Sequence, residues 1–155
     1  MTIGGCGSRI AGTARSDLPL QIAASVPHEP LSAENALLLA QIDMRVTNLT
    51  ASALRVSTNG SGADMTVAKN GIVVATPAGR RSAGVTFPLA PGASRSYKST
   101  ISLRRCDSSP SGSIDPGRYE LYAVQPFFLN LGATRDRSPI LVQGGPWDIE
   151  VGLGP

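Results

Sequence analysis

The side chains able to do chemistry in this 155-residue chain are few and stand far apart. His28, the one histidine, sits between Pro27 and Glu29. A Ser-His-Asp arrangement needs an imidazole beside a nucleophile and an orienting carboxylate; nothing near His28 in sequence favours one, and it reads as a solvated loop residue. The 11 carboxylates are scattered singly. Asp148 and Glu150 share one face of a late strand, the least that an acid/base pair acting on a glycosidic bond would require. As alternating polar positions opposite Trp147 and Ile149, they read more simply as solvent-facing. Two cysteines 100 residues apart with one histidine do not supply a zinc site, and neither an EF-hand loop nor a phosphate loop is present. Cys106 follows Arg104-Arg105, whose charges favour a thiolate, but no histidine lies near it to act as a base. The expectation is a protein without catalytic residues, cofactor or metal; a hydrolase using dispersed carboxylates is the enzymatic class left over.

Cys6 carries a different chemistry. Ile3-Gly4-Gly5-Cys6 looks like the end of a bacterial lipoprotein signal, where small residues precede a cysteine that becomes acylated. The charged and apolar stretches of such a leader are not in this sequence, so this reading takes Met1 to be other than the native start. Three states are open: lipid on Cys6 with Cys106 free, a Cys6–Cys106 disulfide, or two thiols. Lipid attachment at Cys6 is the leading one.

The elements that must position these residues read as strands. Charged residues make up 16% of the chain, low against a usual share of about 25%. With 17 Gly and 12 Pro, this suggests short strands joined by turns. Net charge is +3, yet no basic run exceeds two residues, and the seven aromatics are not interleaved with arginine. A nucleic-acid reader concentrates such charge, so no nucleic-acid partner is expected. No stretch reaches the ~20 apolar residues of a membrane helix.

Residues 1–17 read as a signal remnant and flexible tether, being small, polar and without period. Residues 18–155 read as one domain. Leu18, Leu20 and Ile22 alternate, with Pro19 confining that strand to a sheet edge. A strand from about Leu37 to Thr47 points Ile42, Met44 and Val46 one way, although residues 33–40 also suit a helix. Its Leu37-Leu38-Leu39 end reads as covered on both sides. Leu54 and Val56 make a short strand. Met65 to Val74 with Asn70-Gly71 at its centre predicts a hairpin with a two-residue turn. Val85 to Phe87 and then Tyr97 to Leu103 follow, the latter with Tyr97, Ser99, Ile101 and Leu103 on one face. Pro116-Gly117 is a turn, and beyond it Tyr119, Leu121 and Ala123 alternate with Arg118, Glu120 and Tyr122. The last strand, 140–151, is interrupted at Gly144-Gly145-Pro146 by a bulge or strand switch. Tyr119, Trp147 and Phe87 read as core.

About eight short strands with regular turn signals predict an all-β, antiparallel sandwich of the immunoglobulin-like type. That class carries a tyrosine two residues before the core position of a late strand, bonded back to the preceding turn. Asp115, Gly117 and Tyr119 are the candidates for such a tyrosine corner.

The order of these signals resembles the bacterial extracytoplasmic immunoglobulin-like domains related to the intracellular proteinase inhibitor of bacilli. The matching motifs are Arg45-Val46-Thr47-Asn48 at a strand end, the D-x-x-V-x-x-x-G hairpin from Asp64 to Gly71, the turn Leu89-Ala90-Pro91-Gly92, and P-G-x-Y-x-L from Pro116 to Leu121. Actinobacterial secreted proteins are similar in ending on a Gly-Gly-Pro-Trp like Gly144-Gly145-Pro146-Trp147. The resemblance implies the sandwich fold and an exported protein. The functions expected are a non-enzymatic extracytoplasmic protein-binding module, anchored through a lipidated Cys6, or alternatively a protease inhibitor presenting loop 106–116 or 130–139.

Overall fold

The computed structural model describes residues 1–34, 36–79, 82–107, 112–130 and 138–153. Within them the chain forms nine strands and no helix. They are β1 (Leu20–Ser25), β2 (Leu39–Asn48), β3 (Leu54–Asn59), β4 (Asp64–Lys69), β5 (Ile72–Ala75), β6 (Gly84–Leu89), β7 (Ser94–Ser102), β8 (Gly117–Leu129) and β9 (Ile140–Val151). Arg80, Arg81, Arg135 and Arg137 lie outside the described residues.

Every named pairing is antiparallel. A three-stranded sheet runs β1-β2-β7, with β1 at its edge as Pro19 demands. The other sheet is built around β8. One side of β8 pairs with β9 along most of its length, from Gly117↔Val151 to Phe127↔Ile140. β4 and β3 also pair with it, over successive stretches. β5 and β6 close the two ends of this six-stranded sheet.

The two sheets bury their alternate side chains against each other. Ile42, Met44 and Val46 from β2, Ile101 from β7, and Met65, Val67, Leu121 and Phe127 from the opposing sheet are each at most 3% exposed and belong to one cluster. Removing such side chains from water is the main drive to fold, at about 25 cal/mol per Å² of apolar surface. The β4–β5 turn has Asn70 at φ 51° and Gly71 at φ 77°, the double left-handed geometry whose twist suits paired strands. In β9, the register jumps from Leu121↔Trp147 to Ala123↔Gly144, so Gly144-Gly145-Pro146 is a bulge. Trp147 and Ile22 both crowd Gly144, which seats the indole between β9 and β1.

Three expectations change. Strand β2 begins at Leu39, and Leu37 is 60% exposed instead of covered. Leu38 has φ 60°, a left-handed conformation that breaks the extended chain and turns Leu37 outward. Tyr122, expected on the polar face of β8, is 8% exposed. It shares the outer face with Thr66, Ala68 and Val73, all buried yet, apart from the polar Thr66, conspicuously absent from the inter-sheet cluster. Residues 1–12 account for this, and they are not a free tether. Backbone bonds join Gly7 N to Val73 O (3.0 Å), Val73 N to Ser8 O (2.9 Å) and Ile10 N to Gly71 O (2.8 Å). At the other end the Gln143 amide of β9 donates to Met1 O at 2.8 Å. The segment is folded back on itself at Thr2 and Ala11 and tied at both β5 and β9.

Candidate functional site

Loops from three distant parts of the sequence meet where β2 begins and β7 ends. Leu103 N donates to Leu38 O, and Ile114 N donates to Leu103 O, both at 2.8 Å, which aligns the chain after β7 beside the start of β2. Beyond it, Arg104 bridges Ser113, and Arg105 N donates to Gly112 O at 2.7 Å. Cys106 N then reaches Val74 O at 3.0 Å and brings in β5 and the residues after it.

These contacts frame an open cleft of about 670 Å³. Its lining combines the apolar side chains of Leu37, Leu39, Pro77 and Ala78 with the polar ones of Ser102, Arg104, Arg105 and Asp107. The Arg105 guanidinium pairs with Asp115 at 3.0 Å, which fixes its direction. A pair this exposed contributes little stability. Its effect is on shape and charge at the rim. Arginine is among the residues enriched at protein interfaces, while the aromatic residues and methionine that share that enrichment do not line this cleft.

Cys106, which lines the cleft, is tied to the N-terminal segment through Cys6. The Cys6 sulfur is bonded to that of Cys106, with the two Cα atoms 5.8 Å apart. Of the three states open in the sequence, the structure contains the disulfide. Lipid attachment at Cys6 uses the same sulfur, so anchoring through that residue and this bond exclude each other. Residues 1–5, which a lipoprotein signal would lose, are also part of the folded segment through Thr2 and Met1.

Asp115, Gly117 and Tyr119 come together below this end. The Tyr119 hydroxyl donates to Asp115 O at 2.6 Å, its ring is 4% exposed, and Gly117 takes φ 150°, where a side chain would be strained. Burial, and secondarily the Asp115 carboxylate, holds the Tyr119 hydroxyl above the usual tyrosine range. The Lys69 ammonium lies 4.8 Å from its ring centre.

The sparse acid and base groups are brought closer than their sequence positions suggest. His28, Glu120, Asp148 and Glu150 line one shallow groove of about 420 Å³ with Arg118 and Tyr119. The cross-strand register sets Glu150 opposite Arg118 and Asp148 opposite Glu120. Glu120 is already engaged, accepting from Gly71 N at 2.9 Å. Among the described residues, no three His, Cys, Asp or Glu side chains are grouped to hold a metal.

Phe87 is buried, beneath the Arg95 guanidinium at 4.4 Å, and Trp147 packs partly buried against the core. Sequence reasoning missed a polar relay inside the sandwich. The Tyr97 hydroxyl donates to Gln125 Oε1 (2.7 Å), Gln125 Nε2 donates to Thr58 Oγ1 (3.1 Å), and Thr58 donates to Pro126 O (2.7 Å). The signal was a glutamine at an inward position of β8, in phase with Leu121 and Ala123.

Comparison with known proteins adds little. A scan against protein-family models gave no match, and a search of curated proteins gave none. The solved structures it matches include a mutant beta-glucosidase from Listeria innocua in complex with laminaribiose (TM-score 0.41, 11% identity, 87% of this chain and 16% of that one). The same enzyme with isofagomine gives TM-score 0.40 at 11% identity, over 88% of this chain and 16% of the enzyme. This chain therefore spans a small part of those enzymes, and at this similarity the likeness bears on neither activity nor substrate.

Proposed function

We propose that the chain is a non-enzymatic, extracytoplasmic protein-binding module whose partner docks on the loop-end cleft. The observation that carries this reading is the Cys6–Cys106 disulfide at the rim of that cleft. Such bonds persist in oxidising compartments and are rare in cytosolic proteins. This one holds the chain that frames the cleft at a fixed place, and preorganising a binding surface lowers the ordering cost of association.

The test places a photo-cross-linking residue at Leu37 or Pro77, both lining the cleft, and at Ala53, which is exposed near the opposite end of the sandwich. Irradiated on its own cells, the protein should give one discrete adduct from the two cleft positions and none from Ala53. No adduct, or the same adducts from all three, would refute the cleft.

The alternative is a protease inhibitor, favoured by the motif order noted above and by the disulfide that fixes one end of loop 106–116. Residues 108–111 of that loop and 131–137 of loop 130–139 lie outside the described residues. A panel of serine, cysteine and metalloproteases decides it: inhibition at micromolar protein, lost on replacing loop 106–116, supports the inhibitor and displaces the binding module.

A further inference from the structure

We propose that residues 1–12 are a strap latched by the Cys6–Cys106 disulfide, and that reduction of this bond by a dithiol releases the strap from an otherwise intact sandwich. The strap guards two features. Its residues 7–10 occupy the outer edge of β5, which would otherwise be the bare end of the six-stranded sheet. Tied at β5 and at Gln143 of β9, it also spans the outer face on which Thr66, Ala68, Val73 and Tyr122 are buried. Unpaired edges and apolar patches are surfaces on which other chains add.

What holds the strap is mainly the covalent bond. None of residues 1–12 belongs to the hydrophobic core cluster or packs against it. Five of the twelve are Gly or Ser, residues that lose much freedom or gain little burial on ordering. Three backbone bonds to β5 and one amide to Met1 remain once the disulfide is gone. Each such bond contributes no more than the ordering of about one residue costs. Ordering about twelve residues costs more than these four bonds and the apolar cover over Ala68, Val73 and Tyr122 return together, so the balance tips toward release.

The chemistry is an ordinary exchange. A thiolate of the dithiol attacks a cystine sulfur, the S–S bond breaks and a mixed disulfide forms. The second thiol of the reagent then displaces the protein, leaving the reagent as a cyclic disulfide and Cys6 and Cys106 as thiols. Two electrons and two protons pass to the protein. Cys6 is exposed, so a small dithiol can reach it.

Amide hydrogen exchange on the full chain, with and without dithiothreitol, tests the latch. In the oxidised protein the Gly7, Ile10 and Val73 amides should be protected. After reduction they should exchange within about tenfold of an unstructured peptide, while amides of β2 and β8 keep their protection. The double variant Cys6→Ser, Cys106→Ser should match the reduced protein without reductant, and trypsin should cut after Arg9 at least about tenfold faster in both. Unchanged protection of the three amides after reduction would show that no latch is needed. Loss of protection in β2 and β8 as well would show that the strap is not separable. Either result overturns the proposal.

Discussion

Replacing Asn48 with alanine should be among the most damaging single polar substitutions in the fold. Asn48 ends β2 and is 0% exposed. Its Nδ2 donates to Ser52 O (2.8 Å), Leu89 O (3.0 Å) and Ala90 O (3.2 Å), tying the β2–β3 turn to the end of β6. Its Oδ1 accepts from Thr50 N (2.9 Å) and Thr50 Oγ1 (2.7 Å). Two protons shared among three carbonyls, plus two accepted bonds, amount to four bonds of about 1 kcal/mol net each. Thr50 and Ser52 sit near solvent and recover part of theirs in water. Leu89 O is buried and recovers little, so the expected loss is about 3 kcal/mol. For a domain of this size that lowers Tm by about 6–12 °C. Asn48→Asp keeps the volume but turns a donor into an acceptor facing three carbonyl oxygens, and should cost at least as much at neutral pH. Urea titrations read both, with equal slopes confirming that only stability changed. A loss under about 0.5 kcal/mol for Asn48→Ala would refute this accounting, as would an Asn48→Asp protein as stable as the parent.

Other expectations follow from single contacts. Tyr119→Phe removes the bond to Asp115 O and should cost about 1–3 kcal/mol; equal unfolding midpoints would remove the tyrosine corner. A Cβ on Gly144 would stand 2.8 Å from Trp147 Cζ2 and 3.2 Å from Ile22. Gly144→Ala should therefore displace the indole, the chain's one tryptophan, and shift its emission to the red; an unchanged spectrum would place the ring elsewhere. Burial holds the Tyr97 hydroxyl well above the ordinary tyrosine range. Above about pH 10 the unfolded chain ionises there while the folded one does not, so stability falls as pH rises. It is fully present below about pH 10, and Tyr97→Phe should flatten the alkaline limb. The same slope in both proteins would assign the effect to another group.

Much of the fold was legible because it is written in alternation and turn chemistry. Ile42, Met44 and Val46 could be placed on one face by period alone, and Asn70-Gly71 named its turn. The bulge at Gly144-Gly145-Pro146 was legible because glycine and proline interrupt a strand for backbone reasons. The outward turn of Leu37 was not, since a left-handed leucine at position 38 leaves no mark in a side-chain pattern. The strap was read as a tether because its residues are small and aperiodic, and its hold is backbone bonds and one disulfide. The cleft was invisible for another reason. Its walls come from positions 37–39, 76–79 and 102–107, and only long-range pairing brings them together.

The state of the two cysteines in the protein taken from its own cells bears most directly on the proposal of an extracytoplasmic module. Alkylation at the moment of lysis, followed by mass spectrometry without reductant, reads that state. The account predicts one cross-linked species joining the Cys6 and Cys106 peptides and little alkylated thiol. Two fully alkylated cysteines would contradict it; a Cys6 carrying lipid with Cys106 free would keep the compartment and remove the disulfide on which the cleft reading rests.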